Sequence, residues 1–163
     1  MSILHRRTSR GFTLIELVVV LTVIGILAAI AFSKYINIQS QARTAKAQAL
    51  FGTIRTSAAL AKAACTLDLA GLTPSPTCTS SGGTVSMDGT SVAMVFLYPA
   101  ATSAGIIAAT QTDPTNDQVT VTAGNPITID VNGSTGGAGT CTISYTAATS
   151  GNAPTITLTT TGC

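Results

Sequence analysis

The chain has 163 residues, and only 9% of them are charged, against roughly 25% in an ordinary soluble domain. Its one histidine is His5, so a Ser-His or Cys-His nucleophile is excluded from everything that follows it. After Lys62 there is no Lys or Arg, while Asp68, Asp88, Asp113, Asp117 and Asp130 follow; an acidic stretch of this kind is unsuited to gripping phosphate backbones, and no direct nucleic-acid binding is expected.

Arg6, Arg7 and Arg10 stand before a nearly unbroken apolar run from Phe12 to Phe32, interrupted by Thr13, Glu16, Thr22 and Gly25. The run has the roughly 20 residues that cross a bilayer as a helix. The arginines on its N-terminal side place the N-terminus in the cytoplasm. A secretory signal peptide also begins basic and then apolar, and Ala29-Ile30-Ala31 resembles its cleavage site. Its apolar core, however, is usually about 7–15 residues and carries no carboxylate. A permanent signal anchor and a buried core helix are the other readings, the last disfavoured by length. Gly25 suits either close helix packing or local unwinding.

Arg10-Gly11-Phe12-Thr13-Leu14-Ile15-Glu16-Leu17 resembles the prepilin motif shared by type IV pilins and type II secretion pseudopilins. The resemblance implies that a prepilin peptidase cuts after Gly11 on the cytoplasmic side and N-methylates Phe12. The charge of Glu16 then has a partner. Cleavage creates an α-amino group with an ordinary pKa near 8. That amine lies at the positive end of a helix, where an anion is favoured. Positions 12 and 16 are four apart and share a helical face. The resemblance further implies that Glu16 engages the amine of a neighbouring subunit during assembly. The family often has a proline where this chain has Ser33, so a proline kink is not expected here.

Ser33 to Cys65 contains no proline and is rich in helix formers. Ala47, Leu50, Ile54, Ala58 and Ala61, with Phe51 beside them, recur at spacings of three and four, which predicts one apolar face of a helix. The expected product is one helix of about fifty residues, half membrane-inserted and half amphipathic. Lys34 to Gln39 with Ala42-Arg43 is similar to the mannose-sensitive haemagglutinin branch of type IVa pilins. Phe12, Phe32, Tyr35 and Phe51 read as packing aromatics.

From residue 66 the sequence is loop-like, with Pro74, Pro76, Gly82 and Gly83. Thr84–Met87 and Ser91–Tyr98 flank Asp88-Gly89, a hairpin signal. Ala104–Thr110 suits a short helical turn or another apolar segment. Val119 and Val121; Ile127, Ile129 and Val131; Cys141, Ile143 and Tyr145; and Ile156 and Leu158 alternate with polar residues. One antiparallel sheet is predicted, with its apolar face covered by the helix stripe. The fold class is α+β, a long N-terminal helix packed on an antiparallel sheet. The expected organisation is a leader over 1–11, a transmembrane and assembly half over 12–33, an amphipathic half over 34–64 and a β-rich head over 65–163.

The four cysteines, Cys65, Cys78, Cys141 and Cys163, fall beyond the membrane run, where oxidation is expected. Sequence leaves three connectivities open. The preferred one joins Cys65 to Cys78, stapling the loop to the helix end, and Cys141 to Cys163. The second pair resembles the disulfide-bounded C-terminal region of many type IV pilins. No C-x-x-C spacing supports zinc, and no metal or cofactor is expected. Asp113-Pro114-Thr115-Asn116-Asp117 and Asp130 to Ser134 gather oxygen atoms but read as polar turns rather than calcium loops. Asn132-Gly133-Ser134 also matches a glycosylation sequon, a frequent pattern, and reads as a turn.

The expected function is that of a structural, non-enzymatic subunit of a type IV pilus, secreted through the inner membrane into a helical surface filament with adhesion or motility roles. The resemblance implies as partners further copies of the chain, minor pilins, the prepilin peptidase, the inner-membrane assembly machinery with its ATPase, and the bilayer before assembly. A type II secretion pseudopilin is the alternative, though the calcium loop typical of the major pseudopilins is not evident. A soluble binding domain cleaved after Ala31 is the further one.

Overall fold

The computed structural model describes residues 11–73, 76–134, 136–137 and 139–163. Most of the expected leader, residues 1–10 with Arg6, Arg7 and Arg10, lies outside the described residues, as does Pro74 of the predicted loop. The chain divides into two compact units, the first ending at Gln39 and the second covering Ser40–Cys163.

Helix α1 (Leu14–Leu69) contributes to both units. Its sequence is free of proline and dominated by Ala, Leu, Gln, Lys and Arg beyond residue 33, so propagation meets no break. Thr13 caps its start: the Thr13 hydroxyl accepts the Glu16 backbone N–H at 3.2 Å. Its end lies beyond the Cys65 read from sequence. Gly71 takes φ +70°, its N–H reaches the Asp68 carbonyl at 3.0 Å, and Leu72 N–H reaches the Leu67 carbonyl at 3.1 Å. This pair of bonds and a left-handed glycine form a Schellman stop. The texture change at residue 66 therefore precedes the helix end.

The second unit carries two antiparallel sheets, where sequence predicted one. β1 (Gly82–Met87), β2 (Thr90–Val95) and β3 (Tyr98–Pro99) form the first. The predicted Asp88-Gly89 turn joins β1 to β2, with Met87 opposite Thr90 and both turn residues at positive φ. A π-helical turn (Ser103–Ile107) passes into the single α-helical turn α2 (Ala108–Thr110). Then β4 (Val119–Thr122), β5 (Ile127–Val131), β6 (Thr142–Thr146) and β7 (Thr155–Thr159) form a meander in that order.

The two sheets share one helix. Ala47, Ile54 and Ala58 pack with Val119, Ile127, Ile129, Val131, Ile143 and Tyr145 of the meander. Ala61 and Cys65 pack with Val85, Val92 and Met94 of the hairpin sheet. From Ala47 to Cys65 the helix advances about 27 Å. A four-stranded sheet is only about 14 Å across, so one such sheet does not cover the stripe and a second core forms beside it. Tyr145 is fully buried, and its hydroxyl donates to the Pro99 carbonyl at 2.7 Å. Burial pushes that phenol above the usual tyrosine range. The layout is the α+β one that the resemblance implies.

Candidate functional site

The candidate site is the segment Gly11 to Phe32. Every side chain in it is exposed, including Phe12 at 77%, although the segment is almost wholly apolar. Helix α1 is long and apolar enough over this stretch to cross a membrane by length and composition. A surface of this kind is not stable against water and marks a lipid or protein interaction.

Gly11, Phe12 and Thr13 lie ahead of the helix. The Gly11-Phe12 peptide is therefore in irregular, exposed backbone. In the uncut chain Phe12 precedes the N-cap Thr13 and lies outside the helix whose first turn carries Glu16. Glu16 is the acidic residue of the first turn, where the helix dipole favours a carboxylate. The Thr13-x-x-Glu16 spacing is a capping-box signature. One half of that box is formed, by the Glu16 N–H and the Thr13 hydroxyl. No residue from Phe12 to Phe32 other than Glu16 carries charge. Thr22 returns its hydroxyl to the Val19 carbonyl at 2.8 Å, which removes a polar group from the apolar face.

In the second unit the cysteines pair as Cys65–Cys78 and Cys141–Cys163. Asp68 sits beside the first pair. Its carboxylate accepts from the Thr73 hydroxyl at 2.5 Å, the Thr77 N–H at 3.0 Å and the Cys78 N–H at 3.1 Å. The Thr73 hydroxyl first, then the two amides, hold it below the usual carboxylate range. Sequence gave Asp68 no such role, because its donors lie up to ten residues ahead in a loop. Arg43 donates from Nε to the Cys163 carbonyl and Lys46 from Nζ to the Asp117 carbonyl. Two helix cations thus hold the far ends of the meander.

The candidate calcium turn is occupied by its own chain. Asp113 accepts the backbone N–H groups of Thr115 and Asn116 at 2.9 and 3.3 Å, which lower its carboxyl below the ordinary range. Asp117 accepts the Asp113 N–H at 2.9 Å. Asp130 accepts the Gly139 N–H at 2.9 Å, and Asn132 the Thr120 hydroxyl at 2.7 Å. Among the described residues no three His, Cys, Asp or Glu side chains gather as a metal site. Of the aromatics, Phe51 packs against the meander core, while Phe12, Phe32 and Tyr35 are exposed.

Residues 6–32 match the family described as the prokaryotic N-terminal methylation motif. The chain is also similar to the type IV narrow pilus major component of Thermus thermophilus, with 42% identity over 53 residues. That match spans 32% of this chain and 46% of the relative, less than half of the relative's length. No solved structure matches the chain. The chain thus carries the prepilin methylation motif and is similar to a type IV pilin, on the α+β layout described above.

Proposed function

We propose that this chain is a structural subunit of a type IV pilus. The observation that carries the reading is a wholly exposed apolar segment, Phe12 to Phe32, with Glu16 as its one charge, directly following Arg10-Gly11. The precursor lies in the inner membrane, N-terminus in the cytoplasm and second unit outside. A prepilin peptidase cuts between Gly11 and Phe12 and methylates the new Phe12 amine. An isolated carboxylate in hydrocarbon costs about 2.5 kcal/mol or more. Glu16 therefore seeks the ammonium group of an incoming copy, which fixes the register of addition. The apolar helices leave lipid and bury against one another, and a head-to-tail contact that does not close builds a helical filament. Minor pilins and the inner-membrane assembly machinery are the further partners; the machinery supplies the work of extraction.

The printed name of the Thermus relative is that of a pilus component, which favours a pilus over a periplasmic pseudopilus. Ala29-Ile30-Ala31 lies within unbroken helix, which disfavours a soluble domain released after Ala31. Mass spectrometry of sheared surface filaments tests the reading. An N-methylated Phe12 terminus in that fraction is the expected result. A chain beginning at Phe32 and free in solution would overturn it.

A further inference from the structure

A half-open cleft of about 280 Å³ lies in the second unit, between the turn after β2 and the loop before β7. Lys62, Ser80, Phe96, Tyr98, Ser150 and Asn152 line it. Its size falls just below the roughly 300–1,000 Å³ of drug-sized ligand sites, enough for one ring of a ligand.

One wall is an unusual turn. Val95 pairs with Tyr98, so Phe96 and Leu97 form a two-residue hairpin turn at φ 44° and 71°. Asn-Gly or Asp-Gly is the ordinary choice there, and bulky side chains rarely adopt such φ values. Backbone of this kind persists where its surroundings over-determine it, and it gathers at ligand clamps. Here it places an aromatic side chain in the cleft lining. The opposite wall is a tight turn, with the Asn152 N–H on the Thr149 carbonyl at 2.9 Å.

Among the described residues that line the cleft, Lys62 is the charged one. Lys62 donates from Nζ to the Tyr98 hydroxyl at 2.9 Å, and the same ammonium stands 4.8 Å from the Tyr98 ring centroid. That double contact fixes a cation at the cleft wall. Among the described residues no carboxylate lines the cleft. An aromatic face suits the C–H face of a sugar ring, and the Ser80 and Ser150 hydroxyls and the Asn152 amide oxygen, whose Nδ2 already donates to the Thr149 hydroxyl at 3.3 Å, suit its hydroxyl edge. A single lysine is a point charge matched to one carboxylate; phosphate sites are more often built on Arg forks or successive backbone N–H groups.

We infer that this cleft binds one ring of a carboxylated saccharide, with Lys62, held by Tyr98, receiving the carboxylate and Phe96 the ring face. The inference is independent of the filament reading. Saturation-transfer NMR on the full chain in detergent micelles tests it, with tri-galacturonate and neutral maltotriose as probes. Tri-galacturonate binds, maltotriose binds at least about tenfold more weakly, and Lys62→Gln weakens the charged probe by about tenfold, the scale of one charge-assisted hydrogen bond. Asn152→Ala on the opposite wall also weakens it, whereas Arg55→Gln, outside the cleft lining, leaves it unchanged. Circular dichroism establishes that each variant is folded. Binding of neither probe, equal binding of both, displacement of tri-galacturonate by inorganic phosphate at matched ionic strength, or indifference to Lys62→Gln in a folded variant would overturn the inference.

Discussion

The Asp68 carboxylate accepts the Cys78 backbone N–H at 3.1 Å, ten residues along the chain and beside the disulfide that joins Cys78 to Cys65. With the Thr73 hydroxyl and Thr77 N–H on the same carboxylate, one buried acid organises the loop that leaves α1. Its pKa is lowered in the folded chain. The stability this contributes is therefore present above the unfolded aspartate pKa near 3.9 and lost as pH falls through the lower folded value. Thermal melts of the full chain in micelles are expected to be level from neutral pH down to about 5 and to fall in stronger acid. Asp68→Asn lowers the melting temperature at neutral pH and flattens part of that acid limb; Asp113, shifted the same way, supplies a remainder.

Ile54 is fully buried where α1 meets the meander. Ile54→Ala leaves a cavity and is expected to cost about 2–5 kcal/mol, read from denaturant unfolding. Leu60→Ala, at a side chain 62% exposed, is the comparison and stays within about 0.5 kcal/mol.

The two disulfides belong to different cores. Cys141–Cys163 lies in the meander cluster and Cys65–Cys78 in the hairpin cluster. Their loops, with separations of 22 and 13 residues, predict losses of about 3 kcal/mol each on paired Cys→Ser replacement. Amide exchange separates them. Removing Cys141–Cys163 first exposes β4 to β7, and removing Cys65–Cys78 first exposes β1 and β2.

Thr13→Ala removes the cap on the first turn of α1. Exchange at residues 14–17 is expected to speed up by the equivalent of about 1 kcal/mol, with Thr13→Ser close to the parent. Quantified recovery after shearing then probes Glu16. On the proposed assembly role, Glu16→Gln keeps the helix and the proposed cut at Gly11, but filament yield falls by an order of magnitude or more, because the charge pair proposed between Glu16 and a neighbouring amine in low dielectric is lost. Undiminished filaments from Glu16→Gln would contradict the assembly role.

The hydrophobic stripe of α1 was legible because 3.6-residue periodicity is local. Ala47, Ile54, Ala58 and Ala61 are all buried. Asp88-Gly89 announced its hairpin for the same reason, since both residues tolerate positive φ. The Phe96-Leu97 turn was not legible. Nothing in those side chains favours a turn, and only pairing of Val95 with Tyr98 across it imposes one. The helix end was misplaced because Gly71, its stop, follows four further residues that remain helical after Cys65.

What the sequence alone determined is what depends on near neighbours: the basic segment before an apolar run, the Gly11-Phe12 junction, the one carboxylate at Glu16, the helix and the existence of β-strands. What only the tertiary structure decided is which strands share a sheet, that there are two sheets along one helix, that Asp68 caps a distant loop, and that Lys62 meets Tyr98. Alternation of period two says that a strand has an inner face. It carries no information about the strand's neighbour, which is chosen by packing against a helix longer than one sheet is wide.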